Sequence, residues 1–178
     1  MPSTNKTDDP NLNDAFYIGL SPLYTGIQKV TQWKNRAQNG KDDSMTSIRN
    51  ANIDDFDLAF DYIEKLWTYN TYDRETIRKV YQEVLNNPNG FAFFRFDDGK
   101  PVGFCHGTFF NTFCLSGQTC YVSSIITNQE VRKKGYGSQL MDYANILAES
   151  RGCNAIVLDS GMPRVEAHTF YVRYGFDK

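Results

Sequence analysis

The sequence lacks a long apolar run. None of its hydrophobic stretches reaches the roughly 18 residues that a membrane-spanning helix needs. No basic-then-apolar leader opens it, so a cytoplasmic protein without a membrane role is expected. It also lacks Cys-x-x-Cys: Cys105, Cys114, Cys120 and Cys153 stand apart. The set Cys105, His106, Cys114 and Cys120 matches no zinc module in its spacing. No metal is expected, and the thiols read as reduced, mostly buried strand and turn residues. A charge excess is missing as well. Lys and Arg total 19 against 21 Asp and Glu, a net charge of −2, which argues against nucleic-acid binding. Finally, there is no Gly-x-x-x-x-Gly-Lys-Ser/Thr phosphate loop. Nor does a Gly-x-Gly-x-x-Gly dinucleotide turn follow a first strand.

What is present is an ordinary globular composition with a high aromatic share, 15% of 178 residues. That suits one domain with a sizeable core and an aromatic-lined pocket. Residues 1–44 differ in composition and read as an N-terminal extension, linker-like at its polar end. The catalytic domain is expected over 45–178, and Met45 would itself serve as a start. Within the extension, Ala15–Leu20 reads as a short strand. Leu23, Ile27, Val30 and Ala37 fall on one face of a helix, with Trp33 near it.

From Thr46 the periodicities read β-α-α-β-β-β-α-β-α-β. Asp54 or Asp55 caps a helix with Phe56, Phe60, Ile63, Leu66 and Trp67 on its apolar side. Asp73 caps a second, burying Ile77, Val80, Tyr81, Val84 and Leu85. Asp97-Asp-Gly-Lys100 is a tight turn between strands.

The most informative stretch is Val131-Arg132-Lys133-Lys134-Gly135-Tyr136-Gly137-Ser138. A β-branched strand, Tyr121–Thr127, precedes it. A helix carrying Leu140, Met141, Ala144 and Leu147 follows and stops at Gly152. The first amides of a helix lack partners inside it, and its dipole puts positive charge there. Two glycines and three cations at that place suit a phosphate or pyrophosphate.

Arg132-x-x-Gly135-x-Gly137 resembles the coenzyme A pyrophosphate loop of the GNAT superfamily of N-acetyltransferases. Downstream, after the apolar strand Ala155–Ser160, comes Arg164-Val-Glu-Ala167-His168-Thr-Phe170-Tyr171, ending in Gly175-Phe176. It resembles the superfamily's Asn-x-x-Ala-x-x-Phe-Tyr motif, with Arg164 where Asn is commoner. The form Arg-x-x-Ala-His-x-Phe-Tyr is similar to a subset acting on small amines, including aminoalkylphosphonates. The resemblance covers roughly Thr46 onward. It implies an α/β (α+β) GNAT fold: a mixed, mostly antiparallel sheet flanked by helices. A parallel strand pair splays at the cofactor site. A superfamily domain usually continues past Gly-Phe into one more strand. That C-terminal strand is missing here: either the chain is truncated or the strand is supplied otherwise, with Ala15–Leu20 a candidate substitute.

The resemblance also implies the chemistry. Acetyl-CoA is the co-substrate. Its pantetheine would lie along Ile125, Ile126 and Thr127, and its pyrophosphate on Arg132, Lys133, Lys134, Gly135, Tyr136, Gly137 and Ser138. Arg164, Ala167, Phe170 and Tyr171 would line the other side. Tyr171 is placed at the sulfur as the acid for the leaving thiolate. Many members carry a glutamate base nine residues before the loop arginine. Ser123 holds that position here, with Ser124 next to it, and His168 is the other candidate because histidine titrates near neutral pH. His106 reads as structural. Asp159 is placed to hold a cationic amine or to cap the next loop. The acceptor pocket is expected from Tyr69–Tyr72, His106 and Phe110.

The expected activity is acetyl transfer to a small primary amine by direct attack in a ternary complex. Transfer to a protein lysine or N-terminus, transfer of another acyl group, and a non-catalytic acyl-CoA sensor remain as alternatives. A homodimer is expected by analogy alone.

Overall fold

The computed structural model describes residues 23–30 and 47–177. Among them the chain runs β1 (Leu23–Lys29), β2 (Ile48–Asn50), α1 (Phe56–Leu66), α2 (Arg74–Asn86), β3 (Gly90–Asp97), β4 (Lys100–Thr112) and β5 (Gly117–Thr127). It continues through α3 (Tyr136–Ser150), β6 (Ala155–Gly161) and α4 (Val165–Tyr174). One sheet holds the strands in the order β1-β6-β5-β4-β3-β2. All neighbours are antiparallel except β5 and β6, which are parallel. This is the mixed, mostly antiparallel architecture that the family resemblance implies. No helix among the described residues is long and apolar enough to cross a membrane.

Local chemistry sets the boundaries. Asn52 caps a short 3-10 turn ahead of α1: its side chain accepts from the Asp54 amide at 2.8 Å, and Asp55 accepts from the Asn52 amide at 2.8 Å. The expected cap at Asp54 or Asp55 thus moves to Asn52, and Asp55 is occupied by Arg49 at 2.7 and 2.8 Å. Asp73 caps α2 as expected, accepting from the Thr76 amide at 2.8 Å. The β3–β4 turn places Asp98 and Gly99 at φ 49° and 72°, the left-handed pair that a two-residue hairpin favours.

Each strand sends alternate residues to opposite faces. One core joins Phe93, Cys105, Cys120, Val122, Ile156 and Leu158 to Leu140, Met141 and Ala144 of α3 and Tyr171 and Tyr174 of α4. The other joins Ala92, Phe94 and Phe104 to Phe56, Ala59, Phe60 and Tyr62 of α1 and Tyr81 of α2. On α1 the buried face therefore turns on Ala59 and Tyr62, while Ile63, Leu66 and Trp67 are half-buried. Val80, expected to be inward on α2, is exposed.

Over Leu23–Lys29 the expected helix is a strand, and Val30 lies just past its end. β1 pairs along the whole of β6, from Leu23↔Gly161 to Lys29↔Ala155. Burial shows why: Gly26, Gln28 and Val30 are buried while Lys29 is exposed, a period of two rather than 3.6. Gln28 is fully buried. Its amide donates to the Tyr174 carbonyl at 3.3 Å, and its oxygen accepts from Asn145 at 3.3 Å. On the other side of β1, Ile27 and Asp177 exchange backbone hydrogen bonds of 2.9 and 2.8 Å. The outer edge of β6 is thus filled from the N-terminal part of the chain, by Leu23–Lys29. Ala15–Leu20, the candidate substitute, lies outside the described residues, as do Trp33 and Ala37.

Candidate active site

The parallel pairing of β5 and β6 is short. It runs from Thr119↔Ala155 to Val122↔Leu158 and stops. Beyond that point β5 continues to Thr127, its Ile125, Ile126 and Thr127 paired with Cys105, Phe104 and Gly103 of β4. β6 continues to Gly161, paired with β1. Each strand keeps its outer partner while the two inner edges part. A bulge marks the divergence: His106 pairs with Ser124 and Gly107 with Val122, which leaves Ser123 as the extra residue. Such a bulge bends its strand and re-aims side chains. Gly107 permits the crowding there, since a Cβ would meet the Tyr121 carbonyl oxygen at 2.2 Å.

The basic loop stands at the mouth of this gap. After a 3-10 turn at Gln129–Val131 the chain passes Arg132, Lys133 and Lys134, all exposed. Lys133 and Gly135 adopt left-handed φ values of 67° and 87°. α3 opens at Tyr136, and no side chain caps it. The first amides of α3 are left for a ligand, and the dipole favours an anion there. Arg132 reaches Glu166 of α4 at 3.5 Å with both side chains exposed, a pair of little energetic weight.

α4 lies across the same mouth. A Cβ on Gly137 would sit 3.5 Å from the Phe170 ring, so loop and helix touch there. Ala167 and Phe170 pack on the core edge, and Tyr171 is buried, its ring 5.4 Å from that of Phe170. Gly175, at φ 109°, stops the helix, and the amides of Gly175 and Phe176 both return to the Tyr171 carbonyl at 3.0 Å. His168 Nε2 is 3.1 Å from the Gly161 carbonyl. A carbonyl only accepts, so this nitrogen carries a proton and ties α4 to the end of β6. Arg164 donates to the Leu66 carbonyl at the C-terminal end of α1, where a cation also meets the negative end of the dipole.

His106 is different. Its Nδ1 lies 3.3 Å from the Ser124 hydroxyl, and burial pushes its pKa below the ordinary histidine value. It is therefore neutral near pH 7. The Tyr121 hydroxyl donates to Asp159 at 3.4 Å, and Asp159 is exposed. Alternation puts Tyr121, His106, Ser124 and Asp159 on the sheet face that α1 and α2 cover at its far end. Burial pushes the thiols of Cys105, Cys120 and Cys153 up, with desolvation the largest cause, which makes them poor nucleophiles. Among the described residues no cluster of His, Cys, Asp and Glu is arranged to hold a metal.

Residues 50–176 match the model of the acetyltransferase (GNAT) family. The chain belongs to that family. Its fold agrees with that membership. The uncharacterized N-acetyltransferase YhdJ of Bacillus subtilis (strain 168) is 38% identical over 61 residues, which cover 34% of this chain and 43% of that protein. The match therefore spans less than half the length of that relative. Aminoglycoside N-acetyltransferase AAC(6')-Iy, solved in complex with CoA, superposes with a TM-score of 0.67 at 18% identity, covering 74% of this chain and 87% of that one. A transcriptional regulator from Bacillus halodurans C-125 has a TM-score of 0.66 at 23% identity, covering 73% and 91%. AAC(6')-Iy is also known in complex with the bisubstrate analog CoA-S-monomethyl-acetylneamine.

The sequence-predicted residues separate into groups. The loop Arg132–Ser138 follows the β5 end and meets α4 where Gly137 approaches Phe170, while Tyr171 is buried in the core beside Phe170. Ser123 and Ser124 stand at the inner end of the gap between β5 and β6. Arg164 turns instead to α1, and Tyr69 and Phe110, named for the acceptor pocket, are 76% and 42% exposed. His106, read as structural from sequence, faces Ser124 at the bulge. Arg95 belongs to no motif, although a cation inside Phe91-Ala-Phe-Phe-Arg-Phe96 is an inward charge on an apolar strand.

Proposed function

We propose that this GNAT chain moves an acetyl group from acetyl-CoA to the primary amine of a small molecule, by direct attack in a ternary complex. The observation that carries the reading is the parting of β5 and β6 beneath an uncapped, glycine-opened helix N-terminus. The gap suits an extended pantetheine beside the backbone of Ile125, Ile126 and Thr127. The loop Arg132–Ser138 suits its pyrophosphate, and Ala167 and Phe170 close the other side. The CoA complex of AAC(6')-Iy, similar in fold, supports the cofactor, and its bisubstrate complex supports a small amine as acceptor.

In the proposed reaction the amine nitrogen attacks the thioester carbonyl and the C–S bond breaks. Tyr171 donates its phenolic proton to the leaving sulfur. The amine proton passes through Ser124 to His106, which is neutral and able to take it. His168 positions α4 at the end of β6, Ser123 shapes the bulge, and Asp159 with Tyr121 attracts a cationic acceptor. None of the three buried thiols is needed. The domain proposed for this work is 45–178, with Leu23–Lys29 added at its sheet edge.

The test is CoA thiol release from acetyl-CoA over a panel of small primary amines and lysine-containing peptides, with acetylated product identified by mass. Release with small amines ahead of peptides supports the reading. Release with peptides alone overturns the acceptor class, and tight binding without release on either panel makes the chain an acyl-CoA sensor.

A further inference from the structure

Arg95 is a buried cation lodged under the first turn of α3. It is 6% exposed. Its Nε donates to Gln139 Oε1 at 2.6 Å, and its guanidinium carbon is 5.0 Å from the centre of the Tyr136 ring. Its Nη1 is buried with no hydrogen-bond partner. Among the described residues no ion pair includes it. The nearest acidic group on its own strand, Asp97, accepts instead from the Tyr136 hydroxyl at 2.5 Å.

This arrangement opposes ordinary stability. A buried charge without a direct ion pair is costly, and Asp97 is engaged by the Tyr136 hydroxyl instead. The positive end of the α3 dipole, directly above, has the same sign and raises that cost. Three further cations, Arg132, Lys133 and Lys134, stand in the adjoining loop. A bound anion at the α3 N-terminus would relieve all of these at once, and Arg95 would lend its field through low-dielectric surroundings where it is weakly screened.

We propose that Arg95 is a positioning residue for the anionic part of the acyl donor: it holds the first turn of α3 through Gln139 and Tyr136 and raises the positive potential of the pyrophosphate loop from beneath. This rests on the proposed cofactor site. The residue does not touch the ligand, because its guanidinium is enclosed. Its cost to the unliganded fold is the counterpart of its contribution to binding.

The experiment measures melting temperature without ligand, and the dissociation constants of CoA and of pantetheine, which lacks the phosphates, by calorimetry. The proteins are the wild type, Arg95→Lys and the double variant Arg95→Met/Gln139→Leu, which removes the charge without orphaning the glutamine. Replacing a buried charged group by apolar volume is often neutral or stabilising. The double variant is expected to melt at or above the wild-type temperature and to bind CoA about tenfold more weakly. Pantetheine binding is expected to stay unchanged, and Arg95→Lys to recover most of the CoA affinity. A double variant that melts lower with unchanged CoA affinity would make Arg95 structural and overturn the proposal. Equal losses for CoA and pantetheine would overturn it too. A wild type that binds no CoA would remove the parent reading itself, which separates the two failures.

Discussion

His106 Nδ1 stands 3.3 Å from the Ser124 hydroxyl across the β4–β5 pair, beside the extra residue Ser123 at the bulge. The contact joins a neutral imidazole to the point where the inner strand edges separate. If the pair carries the acceptor's proton, His106→Gln lowers kcat by about a hundredfold, the low end of general-base effects, and leaves CoA affinity intact. The sign of the pH dependence follows from the lowered His106 pKa. Only neutral His106 accepts a proton, so wild-type kcat/KM gains an extra acid-side fall below the ordinary histidine pKa, and the variant loses that limb. A pH–rate profile of both proteins reads this directly, and identical profiles would return His106 to a packing role.

Tyr171 is buried in α4 among aromatic rings. Tyr171→Phe keeps the ring and removes the proton assigned to the leaving thiolate. The expected result is a fall in kcat of about a hundredfold, with the CoA dissociation constant changed less than twofold. Steady-state kinetics beside calorimetry separates this from a packing defect, which would weaken both.

Gly135 adopts φ 87°, and a Cβ there would meet nothing within 4 Å. The strain of Gly135→Ala is thus in the backbone, about 1 kcal/mol for a left-handed non-glycine residue. Because the relaxed loop would turn its amides away from the helix mouth, CoA affinity is expected to fall more than the melting temperature suggests. Calorimetry and thermal unfolding of the same variant check the comparison. Gly137→Ala is the control: a Cβ there reaches the Phe170 ring at 3.5 Å, an ordinary contact.

Gln28 is fully buried and links β1 to α3 and α4. Asn145 also donates to the Tyr174 hydroxyl at 3.2 Å, which in turn donates to Asp142 at 2.5 Å. Gln28→Leu removes one member and leaves the Tyr174 carbonyl without that donor. It should cost about 1–3 kcal/mol, the range for an orphaned buried group, seen as a lower denaturation midpoint. An unchanged midpoint would mean that β1 contributes little to stability.

Much of this arrangement is readable from residues alone, and the reasons differ by element. The loop and α4 announce themselves because Gly135 and Gly175 mark helix ends in left-handed backbone that glycine adopts readily. The β3–β4 hairpin is legible in Asp98-Gly99 for the same reason. β1 is not legible: Leu23, Ile27 and Val30 imitate a helical stripe, and the inward position between them is a polar glutamine. Only the Asn145 and Tyr174 groups across the core explain why Gln28 can be buried. Arg95 escapes in the same way, since its partners Gln139 and Tyr136 lie far along the chain. The contact of His106 with Ser124 is not legible either, because the bulge that brings Ser124 opposite it is a property of strand register, which no local pattern carries.

The gap between β5 and β6 is the proposed seat of acetyl-CoA. Thermal unfolding with CoA, acetyl-CoA, ATP and NAD tests it most directly. A ligand at about 100 times its dissociation constant adds roughly 2.7 kcal/mol to stability. The predicted result is a higher melting temperature with CoA and acetyl-CoA, none with ATP or NAD, and a smaller CoA shift in Gly135→Ala. Equal melting temperatures with and without both CoA species would contradict the account.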